Sequence, residues 1–261
     1  MGNLDCTFCL DCADACPHGN VGILAVAPGS ALVDASALGS IGRLAQRTDL
    51  AALALVLVFG AFASAAAMTA EGARALTLLA AIGGIHREWA TSLALLGAVV
   101  LVPLAAVGSA AWLGRRRADL GVPLGEVFSR LALALVPLGA AMWAAHLLLH
   151  LASGWTGIVP LAERLGGELG WTAGDPDWSL AHASEIGASF RTLQLWLLDA
   201  GLLGALYIGW RSAASFRLEG APALRLWVPW ALVAVALWML GAWIVFQPME
   251  MRGTMIMAMV P

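Results

Sequence analysis

In 261 residues the chain carries 61% hydrophobic and only 12% charged residues, with a mean hydropathy of +0.83. A soluble domain of that composition would lack the polar surface to cover itself, so most of the chain belongs in a bilayer. A net charge of -3 makes no case for nucleic acid, and all fourteen positive charges are arginine, a bias that points to genome composition rather than chemistry.

The chain opens on a polar loop. Cys6, Cys9, Cys12 and Cys16 follow one another at gaps of two, two and three residues, and Pro17 closes the run. Three thiolates spaced by two residues on a tight loop can wrap three corners of an iron–sulfur cubane while backbone amides point at its sulfides, which is the ferredoxin pattern. Zinc sites usually join two cysteine pairs across a longer loop, and nothing nearby reads as a small secreted disulfide domain. The donor set points to a 4Fe-4S motif over 1–20, with Cys6, Cys9, Cys12 and Cys16 as the iron ligands. In ferredoxins with two clusters the fourth cysteine of such a run ligates the other cluster, yet the four cysteines of this chain all lie in one run. Either Cys16 turns back onto its own cluster or its partners lie elsewhere, and we expect the reading frame to extend upstream and supply another cysteine run. A polar cysteine loop is also not the basic stretch and apolar core of a cleavable signal peptide, so none is expected.

Residues 21–49 are mixed, with a turn at Pro28-Gly29-Ser30, and Arg43 and Arg47 stand beside apolar positions. They read as a connector along the membrane surface with its arginines at the headgroups. The remainder, 50–261, reads as a mainly α-helical membrane bundle with five spans at about 50–70, 89–113, 127–152, 190–210 and 225–246, since a hydrocarbon core of ~30 Å needs about 20 helical residues. Gly60 and Ser64 give the first span a small-residue strip for a neighbouring helix. Residues 75–85 are apolar but too short to cross and end at Gly83-Gly84. The second span has tryptophans near both ends and Pro103 as a bend. The third contains Pro137, His146 and His150. Residues 153–189 form a long polar connection with Trp155, Trp171, Trp178 and His182, and loops of that length are usually functional or carry short elements of their own.

Orientation follows from the arginines. With the cysteine loop inside, inner segments hold nine arginines (Arg43, Arg47, Arg115, Arg116, Arg117, Arg130, Arg211, Arg217 and Arg225), and outer segments hold five (Arg74, Arg87, Arg164, Arg191 and Arg252). The positive-inside rule puts the cysteine loop in the cytoplasm and the carboxyl terminus outside, as a multi-pass protein of a bacterial inner membrane. His86, His146, His150, His182, Met249 and Met251 then all fall on the outer side, whereas His18 stays with the cysteines. His146 and His150, four apart, share one helix face about 6 Å apart along the axis. They cannot clamp one haem from opposite faces, so a bis-histidine haem b needs one of them plus His86 or another helix. A copper ion suits the pair, with Met249 and Met251 as further candidates, and a quinone pocket is the third option. Against all three stands the plain reading, in which histidines near helix ends bond to loop carbonyls and methionines pack. Asp199, near the middle of the fourth span, is either a protonated acid bonded to a neighbouring helix or a proton relay for quinol chemistry.

The run Cys-Thr-Phe-Cys-Leu-Asp-Cys-Ala-Asp-Ala-Cys-Pro-His followed by apolar helices resembles the membrane-bound polyferredoxins, a group that includes quinol-dehydrogenase subunits of nitrate reduction, NosR-type proteins and cytochrome-oxidase assembly ferredoxins. The specific resemblance covers Cys6 to Pro17, where the four cysteines match the group's cluster ligands. The chain departs from the group in having one cysteine run where two are usual and five spans after it, as an amino-terminally truncated member would. The resemblance implies an electron-transfer protein or subunit of an oxidoreductase, exchanging electrons between a cytoplasmic 4Fe-4S cluster and quinol or haem through a redox partner. With the cysteine loop and the outer histidines on opposite sides of ~30 Å of hydrocarbon, direct transfer between them would need an intermediate carrier. The alternatives are a copper-handling or oxidase-assembly protein, and a transporter or sensor whose cluster reports redox state.

Overall fold

A computed structural model of the chain describes residues 9–19, 29–34, 44–171, 175–181, 188–216, 218 and 220–247. Among the described residues the regular elements are helical and there is no strand. Helices α1 (Asp11–Asp14) and α2 (Ser30–Val33) are single turns, and a 3₁₀ turn at Leu44–Gln46 leads into α3 (Thr48–Ala67). Arg47 pairs with Asp49 at that entry, where the positive end of the helix dipole favours an acid. Of the expected surface connector 21–49, residues 29–34 and 44–49 are described, and the rest lies outside the described residues.

Helix α4 (Ala70–Gly83) starts on Thr69, whose hydroxyl accepts the Gly72 N–H at 3.0 Å. It buries none of its residues and leaves Leu78, Leu79 and Ile82 exposed. At fourteen residues it is, as expected, too short to cross. Helix α5 (Arg87–Leu96), a π turn at Gly97–Leu101 and α6 (Val102–Arg117) form one apolar stretch. Pro103 explains the π turn: it has no N–H and its ring crowds the carbonyl four residues back, on Val99, so the helix widens across that carbonyl. Trp89 and Trp112, near the two ends of this stretch, are both exposed.

The third stretch is longer and more broken than the sequence predicts. Helix α7 (Leu124–Leu133) stops two residues short of α8 (Val136–Gly154), and a 3₁₀ turn at Trp155–Gly157 carries the chain into α9 (Ile158–Glu168). Much of the expected polar connection is therefore helical, and α9 exposes Ile158, Val159, Leu161 and Leu165. A 3₁₀ turn at Trp178–Ala181 precedes α10 (Ala188–Ala214) and α11 (Ala221–Phe246), which keeps Pro229 inside it. Five stretches are long and apolar enough to cross a membrane: Thr48–Ala67, Arg87–Arg117, Leu124–Glu168, Phe190–Ala214 and Ala221–Phe246. They mark a multi-pass membrane protein, and their exposed leucines, valines and tryptophans suit a lipid environment.

The chain divides into two compact units. Unit one comprises Met1–Leu57, Gly97–Val136 and Gly204–Val235. Its buried side chains include Val107 and Ala111 of α6, Leu131 of α7, and Leu226 and Trp230 of α11. The break ahead of Pro137 shapes this core. The Leu135 N–H bonds to the Ala132 carbonyl at 3.1 Å, only three residues back, so the Leu131 carbonyl loses its helical donor. The Trp230 indole supplies one instead, donating to that carbonyl at 2.8 Å. A buried carbonyl without a donor costs about 1–3 kcal/mol, so this one tryptophan offsets what the broken helix gives up. Position 209 of α10 must be glycine to let the indole in, because a Cβ there would overlap the Trp230 ring. Arg130 stacks over the Phe216 ring at 4.1 Å, pairs with Glu126 one turn earlier and donates to the Ser215 hydroxyl. It thereby pins α7 to the residues that follow α10.

Unit two comprises Val58–Leu96, Pro137–Leu203 and Ala236–Pro261. Phe62 of α3, Leu138 and Met142 of α8, Leu198 of α10 and Ile244 of α11 are buried here. Helices α8 and α10 approach at Gly201, where a Cβ would overlap that of Ala141 and lie 3.1 Å from the Leu138 Cα and the Pro137 carbonyl oxygen. The strip expected at Gly60 and Ser64 is not such a contact. A Cβ on Gly60 would meet nothing within 4 Å, and the Ser64 hydroxyl donates back to the Ala61 carbonyl at 3.1 Å. Small residues permit a close approach, and here α8 and α10 use one at Gly201.

Candidate metal and redox sites

Cys9, Cys12 and Cys16 lie on a tight turn. Leu10 takes a left-handed conformation, with φ 66°, and its carbonyl accepts the Ala13 N–H at 2.8 Å to start the single turn α1. Cys12 falls inside that turn, and Cys16 comes just after it, its carbonyl accepting the Gly19 N–H at 3.2 Å. Cys9 and Cys12 are exposed and Cys16 is half-buried. Cys6 lies outside the described residues. Among the described residues no three His, Cys, Asp or Glu side chains are grouped to hold a metal ion, so the three described thiols are not gathered. The donor chemistry, four potential thiolates at ferredoxin spacing, nonetheless fits an iron–sulfur cluster, and metal binding commonly organises such a loop as it forms.

Helix α8 presents a different arrangement. His146 and His150 are one turn apart, and their Nε2 atoms lie 3.1 Å apart, with ring centroids 4.6 Å apart and planes at 88°. His146 is 6% exposed, and its Nδ1 is buried without a hydrogen-bond partner. His150 is half-buried. Directly before His146, the Ala145 carbonyl accepts the Gln194 side-chain N–H of α10 at 2.9 Å. Gln194 is 3% exposed, and an amide near the start of the apolar stretch Phe190–Ala214 was the available but unused signal for it. Because the two Nε2 atoms face each other, neither ring presents that nitrogen to a haem in this arrangement.

The remaining candidates are scattered. His86 is exposed in the turn ahead of α5, and His18 is exposed after Pro17. His182, Met249 and Met251 lie outside the described residues. Asp199 is half-buried on α10 and accepts the Trp238 indole N–H of α11 at 2.9 Å. That bond joins Asp199 to a neighbouring helix, with the carboxyl oxygen as acceptor.

Comparison with known protein families, with curated proteins and with solved structures finds no match for this chain.

Proposed function

We propose that this chain is a membrane-bound iron–sulfur electron-transfer protein, acting alone or as a subunit of an oxidoreductase, that links a cytoplasmic redox site to quinol or haem in the membrane. The observation that carries this reading is the run Cys6, Cys9, Cys12, Cys16 and Pro17 set directly ahead of a five-span bundle. When bound, a 4Fe-4S cluster supplies reversible one-electron transfer. The four thiolates would hold it, and the exposure of Cys9 and Cys12 leaves that side open to a soluble donor or partner subunit. Exposure of the thiolates and hydrogen bonds to their sulfurs are the levers by which the loop would set its potential. The arginine count places this loop in the cytoplasm and the residues after α11 outside. Asp199, held by Trp238, is the candidate proton carrier for quinol chemistry.

A reduced-minus-oxidised optical spectrum and low-temperature electron paramagnetic resonance of the purified, dithionite-reduced protein test the reading. A reduced-cluster signal lost in Cys9→Ala and Cys12→Ala supports it, and a haem b band would identify the membrane acceptor. Loss of neither signal nor iron in those variants rules it out. A second reading, a copper-handling or oxidase-assembly protein, draws on one specific observation, the facing nitrogens of His146 and His150.

A further inference from the structure

We propose that His146 and His150 form a two-histidine chelate for a single copper ion on α8, deepening the second reading and independent of the cysteine loop. Histidines four apart on a helix lie on one face, a spacing that metal sites use. What sequence spacing cannot say is where the rings point, and here the two Nε2 atoms converge to 3.1 Å. Two imidazole nitrogens bound at about 2.0–2.1 Å to one ion of roughly tetrahedral or square geometry stand about 2.9–3.4 Å apart. The pair therefore holds its nitrogens at a chelating separation, and the rings would have to turn so that both lone pairs meet at one point beside the line joining them.

Without a metal, the same contact is a hydrogen bond between neutral rings, and His146 keeps a buried nitrogen unpaired. If His146 donates through Nε2, its buried Nδ1 is a bare acceptor; if it accepts there, its Nδ1–H is a buried donor without an acceptor. Either way an unpaired buried nitrogen costs about 1–3 kcal/mol, which a leucine or methionine filling the same space would avoid. An ion on both Nε2 atoms would fix His146 in the tautomer with its proton on Nδ1, still buried and without an acceptor, so the unpaired nitrogen is common to both states and what points to the ion is the convergence of the two Nε2 atoms. The half-buried His150 leaves a side open for a further, exchangeable ligand. Copper is favoured over zinc because it heads the affinity order at imidazole sites, and no carboxylate or thiolate among the described residues completes a third ligand that would suit zinc.

The test uses the full chain in detergent with all four cysteines changed to serine, so that thiols neither bind nor reduce the probe, and titrates it with Cu(II) while recording electron paramagnetic resonance. The expected result is one bound equivalent with superhyperfine structure from two nitrogens. In that background His150→Ala and the bulkier His150→Gln should each weaken binding at least about tenfold, because a chelate has become a single ligand. Circular dichroism matching the parent identifies variants that fold, and His146→Gln provides the same reading should the His150 variants not fold. Unchanged copper affinity and spectrum in a folded histidine variant overturns the proposal, as does a chain that takes up zinc but no copper.

Discussion

Cys9 and Cys12 sit exposed on a loop whose described helix is the four residues of α1, whereas His146 and His150 are fixed on the nineteen-residue α8 with one ring almost wholly buried. The loop has no buried residue in α1 to hold it, so under the proposed reading its donors would gain their arrangement from the cluster. The histidines stand on a helix that packs against α10 at Gly201 and is bonded to it through Gln194, beside Ala145. What points to the loop site is therefore residue identity and spacing, and what points to the helix site is packing.

The largest test of this contrast is topological. A reporter fused after Pro261 should be active only outside the cytoplasm, while a tag ahead of Cys6 should be reached only from within. An internal carboxyl terminus would reverse the arginine argument and with it the placing of the two sites.

Next in size is damage to the platform of the histidine pair. Gly201→Leu should cost about 1–3 kcal/mol or more of stability, read as a lower thermal midpoint in detergent, and should weaken copper binding by the cysteine-free protein. It should leave iron binding at the loop unchanged. Loss of iron along with copper would mean that the loop, too, depends on the bundle.

In unit one, Trp230→Phe keeps most of the ring but strands the Leu131 carbonyl, with an expected loss of about 1–3 kcal/mol. A midpoint unchanged from wild type would show that the broken helix finds another donor. The smallest effect is expected at Asp199. Asn retains an oxygen for the Trp238 indole, so Asp199→Asn should shift stability by no more than about 0.5 kcal/mol, leaving any fall in quinol-linked turnover to the lost proton site.

Much of the bundle was legible because a charge-free apolar run of about 20 residues has few other uses, and the five expected spans match the five stretches with shifts at their ends. Pro103 announced a bend, but not that it would become a π turn, and the break ahead of Pro137, closed by Trp230, was not expected. Helix α9 lies in the connection 153–189, which was expected to be functional or to carry short elements, but the sequence did not show where such an element would start and stop. The Gly60 and Ser64 strip misled because a small residue says that a helix can approach and not which one does. The convergence of His146 and His150 was half legible. Their spacing gave a shared face, but ring direction and the buried Nδ1 depend on neighbours that sequence order does not reveal.

Iron and acid-labile sulfide, measured per chain on the purified protein and on its Cys12→Ala variant, decide whether the cysteine run holds a cluster. About four of each are expected in the wild type, the composition of one 4Fe-4S cluster, and essentially none in the variant. Zinc in place of iron, or iron that persists without Cys12, would contradict a cluster there.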